Sequence, residues 1–253
     1  MISFFRNIRQ SLIDSSSVRK YFIYAIGEIS LVVIGILIAL QVNNWNEAQK
    51  NRKGDLNFLM SLRKELVVDT SNFRGRFAYY RQVNDLIALG ESIVRTQSDI
   101  TIHQDSLLSK AIMQLAVLTP MEKNTNRSDL QISDGRLERI SPEINELYMS
   151  YIEEVRAREK VVGKLGETLE QISLNYIYPV IRMNYIKENI MESSISFDYS
   201  GIYNNFIILN AFNKSYIYRK VYLNHLTDLI DRATSLIMRI DSVLNEEGRS
   251  MLE

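Results

Sequence analysis

The chain is predicted to be all-α, with one N-terminal transmembrane helix followed by an antiparallel bundle of about three long helices and one short one. Three observations predict it. Only three prolines and ten glycines occur in 253 residues, too few turn-formers for the many short strands of a sandwich or barrel. One long apolar run lies near the start, from Tyr21 to Leu40. Elsewhere apolar residues recur at alternating steps of three and four, the spacing of one helix face. The domains expected are a cytoplasmic or interfacial segment at 1–20, a transmembrane helix at 21–43 and an extracytoplasmic helical bundle at 44–253.

The run YFIYAIGEISLVVIGILIAL would rise about 30 Å as a helix, the thickness of a bilayer's hydrocarbon core. Tyr21 and Tyr24 stand at one end and Trp45 just past the other, where amphipathic rings favour the headgroup level. The exit, Ala39-Leu40-Gln41-Val42, lacks the small-residue cleavage pattern of a signal peptide, so a retained, single-pass signal anchor is expected. Arg6, Arg9, Arg19 and Lys20 precede the run and Lys50, Arg52 and Lys53 follow it, a bias of four to three. That bias favours an N-terminus in the cytoplasm and a C-terminal domain outside it.

Inside the run, Gly35 and Ala39 form a small-x-x-x-small pair with Gly27 two turns earlier, which would let a second helix approach closely. Glu28 reads either as a carboxylate tolerated near the membrane edge or as a hydrogen-bonding group for another membrane helix. Ahead of the run, Phe5, Ile8 and Leu12 share a helical face suited to the interface, with a disordered tail as the competing reading.

Beyond the span, Leu59, Leu66, Phe73, Phe77, Tyr80 and Ile87 mark a long helix from about 47 to 95, with Gly54, Gly75 and Gly90 as its weak points. Leu108, Ile112, Leu115 and Leu118 mark a short helix that Pro120 would stop. Ser141, Pro142 and Glu143 then form a strong helix start, followed by Ile144, Tyr148, Tyr151, Val155, Val162, Leu165, Leu169, Ile172 and Tyr176, a coiled-coil-like stripe interrupted by Arg158. A serine-rich loop is expected from 192 to 201. The last helix carries Leu209, Phe212, Tyr216, Leu223, Leu226, Ile230, Ala233, Ile237, Ile240 and Leu244.

The segments Phe4-Phe5-Arg6-Asn7-Ile8-Arg9-Gln10, Tyr24-Ala25-Ile26-Gly27-Glu28-Ile29 and Val32 through Gln41-Val42-Asn43-Asn44-Trp45-Asn46 resemble an uncharacterised family of bacterial single-span membrane proteins, known only as a domain of unknown function. A second segment, Ser133-Asp134-Gly135-Arg136-Leu137-Glu138-Arg139-Ile140, is similar to that family's Ser-Gly-x-Leu-x-x-Ile stretch. The resemblance is strongest over the first fifty residues. It implies an anchor followed by a helical domain, and no activity or ligand; the location expected is the inner membrane, with the N-terminus cytoplasmic.

Thirty basic and thirty acidic residues balance, so no global basic field is available for a nucleic-acid partner. The absence of cysteine removes thiolate metal sites, disulfides and a cysteine nucleophile. His103 and His225 form no paired metal spacing, and no phosphate-binding glycine motif or nucleophile elbow occurs. His225, Asp228 and Asp231 share a helical face, with surface charge weighed against a metal or catalytic role. Arg158 reads as a register-fixing ion pair or as an anion site inside the bundle. The tyrosines at 79, 80, 148, 151, 176, 216 and 218 read as core, with a ligand cleft as the alternative.

The segment 124–135, with a turn at Ser133-Asp134-Gly135, is the loop best placed to meet a partner, a plain connector being the alternative. No cofactor, metal or catalytic residue is expected. The function expected is a membrane-anchored, non-enzymatic scaffold or partner-binding module whose partners are the bilayer and either a second copy or another membrane protein. The alternative is a ligand sensor whose bundle relays binding to the membrane helix.

Overall fold

A computed structural model of the chain describes residues 18–96, 102–119, 135–187, 193–198 and 201–250. The expected interfacial helix around Phe5, Ile8 and Leu12, and the loop residues Ser133 and Asp134, lie outside them. The chain divides into two compact units, 1–57 and 58–253.

Helix α1 (Val18–Thr96) belongs to both units and takes in the whole apolar run. Within the first unit its described apolar side chains remain uncovered, with Phe22, Ile29, Leu31, Val33, Ile36 and Val42 among those 47–70% exposed. Among the described residues this is the one helix long and apolar enough to cross a membrane, its apolar window reaching a mean hydropathy of 2.3 with none of it buried.

The second unit is built from the rest of α1 and from α2 (Ile102–Gln114), a single turn α3 (Arg136–Ile140), α4 (Pro142–Ile172) and α5 (Phe206–Ser250). The described residues are therefore overwhelmingly helical, as composition predicts. Each long helix buries a seam at steps of three and four. In α1 it runs through Leu59, Leu62, Leu66, Asp69, Phe73, Tyr80, Val83 and Ile87, and in α4 through Ile144, Tyr148, Tyr151, Val155, Val162 and Leu169. In α5 it runs through Ile208, Phe212, Ser215, Arg219, Tyr222, Leu226, Leu229, Ala233, Leu236 and Ile240.

Cross-helix pairs give the directions. Glu143 meets Arg239 and Arg158 meets Asp228, so α4 and α5 run oppositely. The Val94 carbonyl accepts from the Asn204 amide just before α5, while Arg63 pairs with Asp241 near its end, so α1 and α5 also run oppositely. The Tyr80 hydroxyl accepts from the Thr119 amide at 2.7 Å, past the end of α2.

The start of α4 is as expected. Ser141 is the N-cap, its Oγ accepting from the Ile144 amide at 3.3 Å, and Pro142 occupies the first turn, where its missing N–H costs nothing.

Three expectations are corrected. Helix α2 ends at Gln114, short of Pro120, because its last carbonyls turn to a side chain described below. The stripe of α4 reaches Ile172 as α-helix, then loosens into a π-helical turn (Ser173–Ile177) and a 3-10 turn (Tyr178–Val180) ahead of Ile181, with Tyr176 half exposed. The serine-rich stretch expected as loop contains a strand. β1 (Arg182–Lys187) and β2 (Ser193–Asp198) pair antiparallel, with Arg182 opposite Asp198 and Lys187 opposite Ser193. An otherwise helical fold thus gains a two-stranded hairpin. The Ser194-Ile195-Ser196-Phe197 alternation, a strand period, is the signal that the serine content hid.

At Gly90 of α1, side chains of both α2 and α5 press against the backbone. A Cβ there would stand 2.5 Å from the Ala111 Cβ of α2 and 2.8 Å from Cε1 of Phe212 of α5, whereas at Gly75 it would meet nothing within 4 Å. Gly90→Ala is expected to destabilise the chain by about 1–3 kcal/mol through overpacking, outweighing the helix-propensity gain. Gly75→Ala, free of that clash, is expected to stabilise by about 0.5–1 kcal/mol. Urea unfolding of the two variants in detergent, followed by circular dichroism, checks the opposite signs.

Candidate functional site

Polar residues inside the apolar seams are the feature that simple helix packing does not require. Each of the three long helices carries at least one.

On α5 it is Arg219, fully buried. Its Nη2 donates to the carbonyls of Gln114, Leu115 (3.4 Å) and Val117 (2.9 Å), and its Nη1 to the Ser215 carbonyl (3.3 Å) and Oγ. Ser215 Oγ donates in turn to the Leu115 carbonyl at 3.1 Å. The guanidinium therefore caps the C-terminus of α2, where unpaired carbonyls and the negative end of the helix dipole both favour a cation. Burial lowers its pKa to about 10, which leaves it charged at neutral pH. Nothing in the residue's sequence neighbourhood marks this role.

On α1 the polar seam residue is Asp69, also fully buried, which accepts from the Tyr151 hydroxyl of α4 at 3.3 Å. Burial first, and then the carboxylate of Asp69, push the Tyr151 pKa upward, so the phenol stays protonated and serves as a donor.

On α4 it is Arg158. Its Nε donates to Glu154 Oε2 at 3.0 Å, and its Nη2 to Asp228 Oδ2 of α5 at 2.5 Å. Its Nη1 lies 2.8 Å from His225 Nδ1. Arg232 closes the ring, with Nε 3.0 Å from Asp228 Oδ2 and Nη2 3.7 Å from Glu154 Oε1. Opposite charges therefore alternate around the circuit. Of the two readings of Arg158, the guanidinium takes up the cross-helix pairing. His225 and Asp228 both meet Arg158, while Asp231 is solvent-exposed and stands apart from them. Hydrogen bonding to Arg232 is the leading cause that lowers the Asp228 pKa. Burial, then the Arg158 charge, lower that of His225 against the opposing carboxylates.

The tyrosines divide between the two readings. Tyr80, Tyr148 and Tyr151 are core, whereas Tyr79 and Tyr176 are about half exposed. Those two line separate open grooves. One of about 280 Å³ lies between α1 and α2, among Tyr79, Val83, Leu86, Lys110 and Met113, and one of about 300 Å³ lies between the end of α4 and α5, among Ile172, Tyr176, Ile207, Asn210 and Lys214.

The remaining site candidates stand apart from these. Gly27, Gly35 and Ala39 face open space along α1, and a Cβ at either glycine would meet nothing within 4 Å. Glu28 is half-buried. Gly135 sits at the N-cap of α3 with φ +66°, a left-handed conformation that suits glycine and turns the chain into Arg136–Ile140. Sequence reasoning missed Arg219 and Asp69, whose cross-helix partners are distant in sequence, and Arg232, which pairs with Asp228 one turn away and reaches Glu154 across helices.

A model of a family of unknown function, DUF6090, matches residues 28–97, which is α1 from Glu28 through its end. The sequence resemblance is thereby supported at the level of an uncharacterised family; the match takes in the segment from Val32 to Asn46 and runs further along α1, but does not include residues 4–10, 24–27 or 133–140. No curated protein and no solved structure matches the chain.

Removing the buried cap should be costly. Arg219→Met is expected to destabilise the chain by about 3 kcal/mol, because the carbonyls at the end of α2 lose a charged donor, and Arg219→Lys should recover only part of this since a compact ammonium cannot span several carbonyls. Denaturant midpoints of the two variants give the test, with equal stability of Arg219→Met and the natural chain as the contrary result. For Arg158 and Asp228, a double-mutant cycle with Arg158→Met and Asp228→Asn is expected to show a coupling of about 1 kcal/mol, modest because Asp228 retains solvent contact.

Proposed function

We propose that this protein is a single-pass membrane protein whose residues from Phe58 onward form an antiparallel helical bundle, acting outside the cytoplasm as a scaffold or partner-binding module without turnover. The observation that carries the reading is the exposed apolar stretch of α1 from Phe22 to Val42. Each uncovered Leu, Ile or Phe side chain forgoes about 1.5–3 kcal/mol of burial, and so many of them in one segment exceed what a soluble surface carries. A bilayer removes that cost.

In the same reading the N-terminus lies in the cytoplasm of a bacterial cell and the helix sits in the inner membrane, following the four-to-three charge bias and the family resemblance. Gly27, Glu28, Gly35 and Ala39 form the face through which a second copy or another membrane protein approaches, supported by the open space at both glycines. The loop ending at Gly135 is a further contact point for a partner.

A second reading, a ligand sensor, draws on the two grooves between helices lined by Tyr79 and Tyr176. A small ligand seated there would act by preferring one packing of the helices over another.

Expression of the full-length chain followed by alkaline carbonate extraction tests the anchor. The expected outcome is retention in the membrane pellet and release only by detergent, and recovery as a monodisperse soluble protein overturns the proposal. A periplasmic-active reporter fused to the C-terminus is expected to be active, and activity of a cytoplasmic reporter instead reverses the orientation. In membranes, a crosslinked dimer that Gly35→Leu weakens supports pairing through the small-residue face. For the sensor reading, a small ligand should raise the melting temperature of the full-length protein in detergent.

A further inference from the structure

We propose that His225 is an acid-sensing latch between α4 and α5, in which protonation of its imidazole exchanges the cross-helix Arg158–Asp228 bond for a His225–Asp228 pair within α5. The inference concerns the second unit alone and stands whether or not the chain is anchored.

The geometry decides the protonation chemistry. Arg158 Nη1 lies 2.8 Å from His225 Nδ1. A guanidinium nitrogen can only donate, so Nδ1 accepts, and the neutral ring carries its proton on Nε2. Nε2 is buried and has no hydrogen-bond partner among the described residues. A second proton can go only to Nδ1. There it sets an N–H against an N–H and a cation against a cation, and the Arg158–His225 bond breaks.

The surroundings then determine where the imidazolium turns. From α4 it faces Glu154 and Arg158, and along its own helix it faces Asp228, with Arg232 beyond and bound to the same carboxylate. From α1, Arg76 acts on Tyr222, one helical turn before His225. The carboxylate of its own helix that acts on it is Asp228, three residues on, a spacing at which helical side chains meet. Asp228 Oδ2 already accepts from Arg158 at 2.5 Å and from Arg232 at 3.0 Å. The imidazolium competes with Arg158 for it. If it wins, α5 satisfies its own carboxylate and Arg158 falls back on Glu154 of its own helix, 3.0 Å away. Both ends of that bond are then satisfied within single helices, so protonation removes the Arg158 link between α4 and α5 and leaves Glu154–Arg232 and Glu143–Arg239 to hold them.

The sign of the pH dependence follows. His225 sits below its ordinary value because of burial and the Arg158 charge. An unfolded chain binds a proton there near the usual histidine pKa of about 6.5, before the folded chain does. Stability therefore holds above that value and falls as the pH drops below it, until the folded-state histidine also titrates.

The test uses the full-length chain in detergent micelles. Its two histidines give two imidazole NMR signals, assigned by comparison with His103→Gln. His225 is expected to titrate below about 6.5. Hydrogen exchange across residues 152–160 and 224–232, corrected for its intrinsic pH dependence, should accelerate by about ten-fold or more between about pH 7.5 and pH 5, with the same midpoint as His225. In His225→Gln, whose amide oxygen can still accept from Arg158, the acceleration should vanish, and in His103→Gln it should persist. Acceleration that survives His225→Gln overturns the proposal. Should that variant not fold, the natural chain decides: a His225 midpoint at or above the ordinary value, or one that differs from the midpoint of the exchange change, overturns it equally.

Discussion

A charge placed in an apolar helix seam must be matched where it lies, and the arrangement of the second unit follows from how this chain matches Arg219. The guanidinium is fully buried on α5, and its partners are the carbonyls at the end of α2 and beyond. An isolated buried cation would cost several kcal/mol. Placed against a helix C-terminus it meets several acceptors at once and the favourable end of the dipole. The pairing works in both directions. The carbonyls that α2 cannot satisfy internally need a buried donor, and Arg219 needs acceptors, so neither element is stable in that place without the other. This is also why α2 stops at Gln114 and why the backbone past it turns back toward Tyr80, whose hydroxyl takes the Thr119 amide.

From that fixed point the tight packing follows. Ala111 of α2 and Phe212 of α5 both press on Gly90, a position with no room for a side chain, so α1 can approach both only because it carries a hydrogen there. Further along α4 and α5 the contacts are looser and more polar. The ring of Glu154, Arg158, Asp228 and Arg232 is only partly sheltered from solvent. Thus α5 is held to α2 by a dry, close-packed, charged cap and to α4 by a wetter ring that titration can reach. A structural element that yields is drawn from such low-stability contacts.

How much of this could be read beforehand depended on whether a residue's role is local. The apolar stretch from Tyr21 to Leu40 was legible as one long uncovered helix because length and composition are local properties, and Ser141-Pro142 because a cap is formed by neighbours in sequence. The seam of α1 was also legible, since Leu59, Leu66, Phe73, Tyr80 and Ile87 are all buried as their spacing predicts. In α5 the expected stripe lay one residue off over part of its length. Leu223, Ile230 and Ile237 are half-buried, while Tyr222, Leu229 and Leu236 are fully buried. The cause is that the true seam passes through Ser215 and Arg219, polar residues that a hydrophobic pattern skips, so the frame was set from Tyr216 instead. The hairpin was missed because serine content outweighed a four-residue alternation. Arg158 was legible as an anomaly, but its partners were not, because which helix faces which is a fact about the fold.

The polar seam residues also supply what the apolar ones cannot. An apolar heptad repeat maps onto itself when one helix slides by seven residues past another, so hydrophobic burial alone distinguishes poorly between the observed register and its neighbours. The pairing of α4 with α5 does distinguish them. A slide of seven residues would bring Val221 or Ser235 opposite Arg158 in place of Asp228, and neither is a carboxylate. In one of the two directions it would also set Glu246 against Glu143 in place of Arg239. The same slide would present Phe212 or Leu226 to the α2 carbonyls in place of Arg219, and neither can donate. Each wrong register leaves a charge or a carbonyl unmatched inside the protein, a penalty of a few kcal/mol that the observed one avoids. The seams therefore separate two tasks, with leucine, isoleucine, phenylalanine and tyrosine supplying the attraction between helices and three sparse polar positions selecting which of the near-equivalent alignments is occupied.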